Sequence, residues 1–65
     1  MDHLPLLSTQ DLADRYGVPV GTIYQWRSKC YGPTGFSVGR HVRYRLDDVL
    51  AWEDAQRAAE LQRTA

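Results

Sequence analysis

The sequence has little of what stabilises or localises many small proteins. It contains a single cysteine, Cys30, so no disulfide can close within the chain. No apolar run approaches the ~20 residues of a membrane span. The opening residues, Met1-Asp2-His3-Leu4-Pro5, have neither the basic nor the apolar region of a signal peptide, so the expected compartment is the cytoplasm. Internal repeats, low-complexity tracts and linkers are missing too, leaving one domain over residues 1–65 with a core from about 6 to 55. At this size only about 60% of the unfolded chain's surface is buried on folding, and there is no room for a cleft between domains. No Ser/His/Asp or Cys/His grouping is present, and His3, His41 and Cys30 lack the spacing of metal ligands. The expectation is a protein that is not an enzyme, with no cofactor, metal or small-molecule ligand. His3 reads as a terminal residue and Cys30 as a small core residue.

The most consequential absence is of negative charge in the middle of the chain. The formal net charge is zero, yet between Arg15 and Arg45 there is no acidic residue, while Arg15, Arg27, Lys29, Arg40, Arg43 and Arg45 fall there. All eight acids lie outside that window. A neutral total thus conceals a positive region that attracts polyanions and acidic ends that limit indiscriminate association, which makes nucleic acid the leading partner. With 43% hydrophobic and 25% charged residues, the composition is that of a folded domain rather than a disordered basic tail.

Local patterns give three helices and a hairpin. After the short apolar stretch Leu6-Leu7, the series Ser8-Thr9-Gln10-Asp11 has the spacing of a capping box and starts a first helix near Thr9. Leu12, Ala13 and Tyr16 share its inner face, Asp11, Asp14 and Arg15 point to solvent, and Gly17 ends it. Val18-Pro19 makes a brief turn into a second helix from about Val20 to Lys29, the arrangement of a helix-turn-helix. Helical spacing places Ile23, Trp26 and Cys30 on the buried side of this second helix. Gly21, Tyr24, Gln25 and Ser28 follow i, i+3, i+4, i+7 on the opposite side, with Thr22 and Lys29 on one shoulder and Arg27 on the other. That outer face suits DNA: Gln25 can pair bidentately with adenine, Tyr24 and Ser28 reach phosphates or base edges, and the cations flank them.

Tyr31-Gly32-Pro33-Thr34-Gly35 breaks the helix, and Phe36-Ser37-Val38 with Val42-Arg43-Tyr44-Arg45 reads as a hairpin. A three-residue loop, Gly39-Arg40-His41, puts Val38 opposite Val42 and Phe36 opposite Tyr44, so that all four share a buried side. It leaves Ser37, Arg43 and Arg45 on the open face and Arg40 with His41 at the tip. This register is preferred to a two-residue turn pairing Val38 with His41. An arginine at such a tip suits a minor groove beside a helix docked in the major groove. A third helix starts near Asp47 and Asp48 and runs to Leu61 or Gln62, with Leu46, Val49, Leu50 and Trp52 inward. Its second half has a thin apolar stripe and is expected to project and fray, or to touch a neighbouring molecule through its alanines and leucines. It lacks the heptads of a coiled coil.

The motifs Leu7-Ser8-Thr9-Gln10-Asp11-Leu12-Ala13, Tyr16-Gly17-Val18, Thr22-Ile23-Tyr24-Gln25-Trp26-Arg27, Val38-Gly39-Arg40-His41-Val42-Arg43-Tyr44 and Asp47-Asp48-Val49-Leu50-Ala51-Trp52 resemble the MerR-related winged helix-turn-helix family of excisionase type. The likeness covers residues 6 to about 55 and is greatest to the small excisionases of mycobacteriophages. It implies a mainly helical fold with a small β-hairpin, a winged helix-turn-helix. It further implies a second helix in the major groove of double-stranded DNA, a wing along the adjacent minor groove, cooperative self-association on tandem direct repeats, DNA bending, and a phage integrase directed toward excision in the bacterial host. Carried over residue by residue, DNA contact falls on Gly21, Thr22, Tyr24, Gln25, Arg27, Ser28 and Arg40. The charge pattern adds Lys29, His41, Arg43 and Arg45 to that surface.

This chain departs from the family at Tyr24 and Gln25, where relatives often carry arginines, and at Val18-Pro19-Val20, which replaces a Ser-containing start and leaves the second helix without a side-chain cap. Its first amides are then open to a phosphate. Related regulators dimerise through a long C-terminal helix, and without that coiled coil monomers assembling on DNA are expected here. A small transcriptional regulator of the same fold fits the helices and wing equally well. A third reading is a protein-interaction module that presents its basic face to an acidic partner.

Overall fold

The computed structural model of the protein describes residues 6–64, and Asp2, His3 and the rest of residues 1–5, together with residue 65, lie outside the described part. The elements run β1 (Leu6–Ser8), α1 (Thr9–Tyr16), α2 (Val20–Ser28), β2 (Gly35–Val38), β3 (His41–Arg45) and α3 (Leu46–Thr64). The strands form one antiparallel sheet in the order β1-β3-β2. No described helix is long and apolar enough to cross a membrane.

The capping box at the start of α1 forms in both directions. The Asp11 amide donates to Ser8 Oγ at 3.0 Å and the Ser8 amide donates to Asp11 Oδ2 at 2.9 Å. Gly17 closes α1 in the left-handed region at φ 68°, where a glycine carries no Cβ penalty, and its amide and that of Val18 both donate to the Ala13 carbonyl. Pro19 then opens α2 with no side-chain cap. Packing follows the expected faces on α1 and, as far as Trp26, on α2. Leu12 and Ala13 of α1, Ile23 of α2, Tyr44 of β3 and Val49 of α3 form the buried core, with Leu7, Tyr16, Val18, Val20, Trp26 and Val42 packed around it.

A second cluster ties α3 to the helix-turn-helix through four aromatic rings. Trp26 lies 5.9 Å from Tyr16, 5.7 Å from Trp52 and 5.3 Å from Tyr31, centroid to centroid, and Trp52 touches Tyr16 and Tyr31 at 5.8 and 5.6 Å. These tilted and edge-on contacts each add about 0.5–1.5 kcal/mol beyond area burial. The loop residue Tyr31 is therefore a packing residue, although its ring remains half-exposed.

The structure corrects several expectations. The hairpin takes the two-residue turn: Val38 pairs with His41, Ser37 with Val42, Phe36 with Arg43 and Gly35 with Tyr44. Phe36 and Val38 consequently face outward and are 39% and 50% exposed, whereas Ser37 lies on the Tyr44 side of the sheet. Two features decide the register. Gly39 sits at φ 61°, the positive value that a II′ turn requires at its first central position. The buried Tyr44 ring also covers Gly35 so closely that a Cβ there would lie 2.7 Å from Tyr44 Cε2, leaving no space for Phe36 opposite that ring.

Cys30 is exposed rather than buried. The helix ends at Ser28, Lys29 caps it, and Cys30 turns into the left-handed region at φ 57°, so helical spacing no longer governs where its side chain points. Leu50 is 43% exposed, because α3 meets the core along Val49, Trp52 and Glu53 instead. Leu6-Leu7 belongs to a third strand, whose Leu7 pairs with Tyr44. Finally, α3 runs beyond Leu61 and Gln62 to Thr64, and its side chains from Asp54 to Arg63 are exposed, as expected of a projecting second half.

Candidate nucleic-acid interface

The cations first separate into those engaged within the fold and those available to a partner. Arg15, counted among the basic residues of the sequence, is engaged: its Nε donates to Glu53 Oε2 at 2.6 Å and its Nη2 to Glu53 Oε1 at 3.0 Å. The Tyr16 hydroxyl donates to Glu53 Oε2 at 2.7 Å, so α1 grips α3 with two residues on one carboxylate. Hydrogen bonds from Arg15 and Tyr16 hold the Glu53 carboxyl down at about 2, while the same carboxylate raises Arg15 above its ordinary value. Burial, then Glu53, pushes the Tyr16 phenol up as well, so it stays a neutral donor. Among the described residues, Arg27, Lys29, Arg40, Arg43 and Arg45 take part in no ion pair. These cations lie on α2, its C-terminal cap and the hairpin.

Along α2 the outward series is open to solvent. Gly21, Gln25, Arg27 and Ser28 are exposed, Tyr24 is 55% exposed and Thr22 is half-buried. Gly21 has nothing within 4 Å of where a Cβ would stand, leaving the backbone at the start of α2 open to close approach. Lys29 is exposed at the other end.

The hairpin comes up beside this helix. A concavity of about 350 Å³ lies between Tyr24 of α2, Arg40, His41 and Arg43 of the wing, and Ser8 and Gln10 at the start of α1. Four of the sequence-predicted contact residues are thereby brought to one surface. Gln25, Ser28 and Lys29 do not line this hollow. Arg27 faces a second hollow of about 250 Å³ with Cys30, Tyr31 and the Gly32–Gly35 loop, and lies near enough to Tyr44 to oppose the upward shift that burial imposes on that phenol. Arg45 is exposed on the sheet face opposite Tyr44, at the end of β3 remote from the turn, and does not line the main hollow.

Sequence reasoning missed the start of α1 as part of this surface. Ser8 and Gln10 carried a capping signal, and nothing in their spacing places them next to the wing. That proximity comes from β1 pairing with β3, which sets Ser8 opposite Arg43. Gln10 Nε2 donates to Asp14 Oδ1 at 3.0 Å and so is held along α1. No group of three or more His, Cys, Asp or Glu side chains among the described residues is arranged to hold a metal ion.

Two short helices joined at a left-handed glycine, an open polar face on the second, and a small antiparallel sheet whose turn carries Arg40 make a winged helix-turn-helix. Comparison of the chain with protein families agrees: the model of the helix-turn-helix domain matches residues 6–57, from β1 well into α3. No curated protein and no solved structure gives a significant match. With most of its length matched, the chain belongs to the helix-turn-helix domain family, a family of DNA-binding domains.

Proposed function

We propose that the protein is a sequence-specific binder of double-stranded DNA that acts architecturally, as an excisionase. The observation that carries the DNA reading is the shared concavity of Tyr24 with Arg40, His41 and Arg43, bordered by cations not engaged in ion pairs. In this reading α2 lies in the major groove. Gln25 reads an adenine, Gly21 permits close approach of the backbone, and Thr22, Tyr24 and Ser28 contact phosphates or neighbouring base edges. Arg27 and Lys29 neutralise phosphates on the two sides of the groove. Arg40 and His41 at the wing tip enter the adjacent minor groove, with Arg43 and Arg45 along its edge.

The excisionase assignment rests on the motif resemblance. Several copies bind tandem sites cooperatively, bend the duplex and direct a phage integrase toward excision in the cytoplasm of the bacterial host. The second reading is a small MerR-related transcriptional regulator, which uses the same helix and wing on an operator.

A gel-shift titration separates these readings, run on attachment-site DNA, promoter DNA and unrelated duplex at several salt concentrations. Stepwise cooperative complexes confined to the attachment site support the excisionase. Binding confined to a promoter supports the regulator. Absence of any duplex binding at low salt overturns both, leaving the basic face to an acidic protein. Affinity should fall with salt at a slope near −0.9 per phosphate contacted, so about four to six cationic contacts give a steep response.

A further inference from the structure

The sheet has an outer strand that is paired on one side alone: β2 comes last in the order β1-β3-β2. A two-residue turn makes the residues flanking it a hydrogen-bonded pair, and such pairs alternate with unbonded ones along an antiparallel ladder. Val38 with His41 and Phe36 with Arg43 are therefore the bonded pairs. Gly35 and Ser37 fall at the alternate positions and direct their amides and carbonyls away from β3, where no other backbone bond among the described residues takes them up.

Edge strands are ordinarily protected by charged side chains, proline or a bulge. β2 has none of these. No charged residue occurs from Tyr31 to Gly39, Pro33 precedes the strand, and the register runs unbroken from Gly35 to Val38. Phe36 and Val38 stand side by side on the outward face, 39% and 50% exposed. The charge on that face comes from β3. Arg43, directly across from Phe36, turns back so that its Nη1 donates to the Val42 carbonyl at 2.8 Å. Arg45, diagonal to Phe36, is exposed and in no ion pair among the described residues. The three strands contain no acidic residue.

We propose that this edge takes up an extended segment of another protein as a fourth strand, apolar beside Phe36 and Val38 and acidic toward Arg45. Backbone bonds to Gly35 and Ser37 hold the segment, while the two apolar side chains and Arg45 select it. A second copy of β2 does not fit, because it brings no acid and sets the Arg45 of both copies on one continuous face. Duplex DNA matches Arg45 but gains nothing from Phe36 and Val38. A contact this small falls below the ~1,200 Å² of a stable interface. It is therefore weak alone, and strengthened where both proteins are tethered in one assembly. It does not depend on DNA being bound.

Amide chemical shifts of the full chain, followed on titration with the peptide acetyl-Glu-Thr-Val-Thr-Val-Thr-Glu-amide, test it. The valines and both glutamates of this peptide share one face, so either strand direction is served. The largest changes should fall from Gly35 to Val38 and saturate at about millimolar peptide. The same peptide with lysines in place of the glutamates should bind about fivefold more weakly, and Arg45→Glu should reverse that preference. Ser37→Pro removes one edge amide while sparing the bonds between β2 and β3, and should weaken the glutamate peptide about tenfold with native circular dichroism retained. Equal binding of the two peptides, a preference unmoved by Arg45→Glu, or undiminished binding by folded Ser37→Pro would each overturn the proposal. Changes at β2 with an unrelated duplex and none with either peptide would overturn it too, assigning the edge to DNA.

Discussion

Replacing Gly35 by alanine adds one methyl group beneath the Tyr44 ring, and its cost follows from the register of the wing. The new Cβ would stand 2.7 Å from Tyr44 Cε2, 3.0 Å from Cζ and 3.1 Å from Cδ2, against about 3.5–4.0 Å for a favourable carbon contact. Tyr44 is 2% exposed and packed in the core, so its ring has nowhere to withdraw. Overpacking of this kind costs about 1–3 kcal/mol, offset by about 0.4–1 kcal/mol from the less flexible unfolded chain. A net loss of about 1–2 kcal/mol lowers the melting temperature of a domain this small by ~5–15 °C.

The matched control is Gly21→Ala, the same chemical change inside α2 with nothing within 4 Å of the new methyl. It should stabilise by up to about 1 kcal/mol through helix propensity. Thermal unfolding followed by far-ultraviolet circular dichroism measures both variants against the parent. A Gly35→Ala protein that melts at or above the parental temperature would refute the Gly35–Tyr44 pairing and, with it, the two-residue turn that aims Arg40.

Glu53→Gln should lower the melting temperature near neutral pH by releasing Arg15 and Tyr16 from α3. Because the folded protein holds Glu53 at about 2, below its ordinary 4.5, the stability this contributes is complete above about pH 4.5 and is lost as pH falls from there toward 2. The gap between variant and parent in melting scans should close over that window, and a constant gap would exclude the linkage. Gln25→Ala should cost about 1–3 kcal/mol at a single base position in competition binding, whereas Arg40→Ala should weaken binding to many sequences and flatten the salt dependence by about one contact. Unchanged affinity in both would contradict the docking.

Elements governed by nearest neighbours were legible in the sequence. The Ser8–Asp11 box, the Gly17 stop and the Val20 helix start each depend on a few adjacent residues, and the inner faces of α1 and α2 follow from helical period as far as Trp26. The period lost its meaning at Cys30, where the backbone had already left the helix. The hairpin register was not legible from alternation, because Phe36-Ser37-Val38 alternates equally well with either face inward. What settles it is the space that Tyr44 occupies over Gly35, a contact between residues nine apart that exists only after folding.

The candidate site divides the same way. The open face of α2 was visible as a series from Gly21 to Ser28, but the engagement of Arg15 by Glu53 depends on α3 packing against α1. The approach of Ser8 and Gln10 to the wing depends on β1 joining the sheet, and a three-residue strand carries too short an alternation to announce itself.

In the proposed docking, α2 and the wing together receive duplex DNA. Amide chemical-shift mapping of the full chain titrated with a bound duplex tests it most directly. The largest changes should fall on Gly21, Tyr24, Gln25, Ser28, Arg40 and His41, with smaller ones at Ser8 and Gln10. Changes centred on α3, or none at the wing while α2 responds, would contradict it.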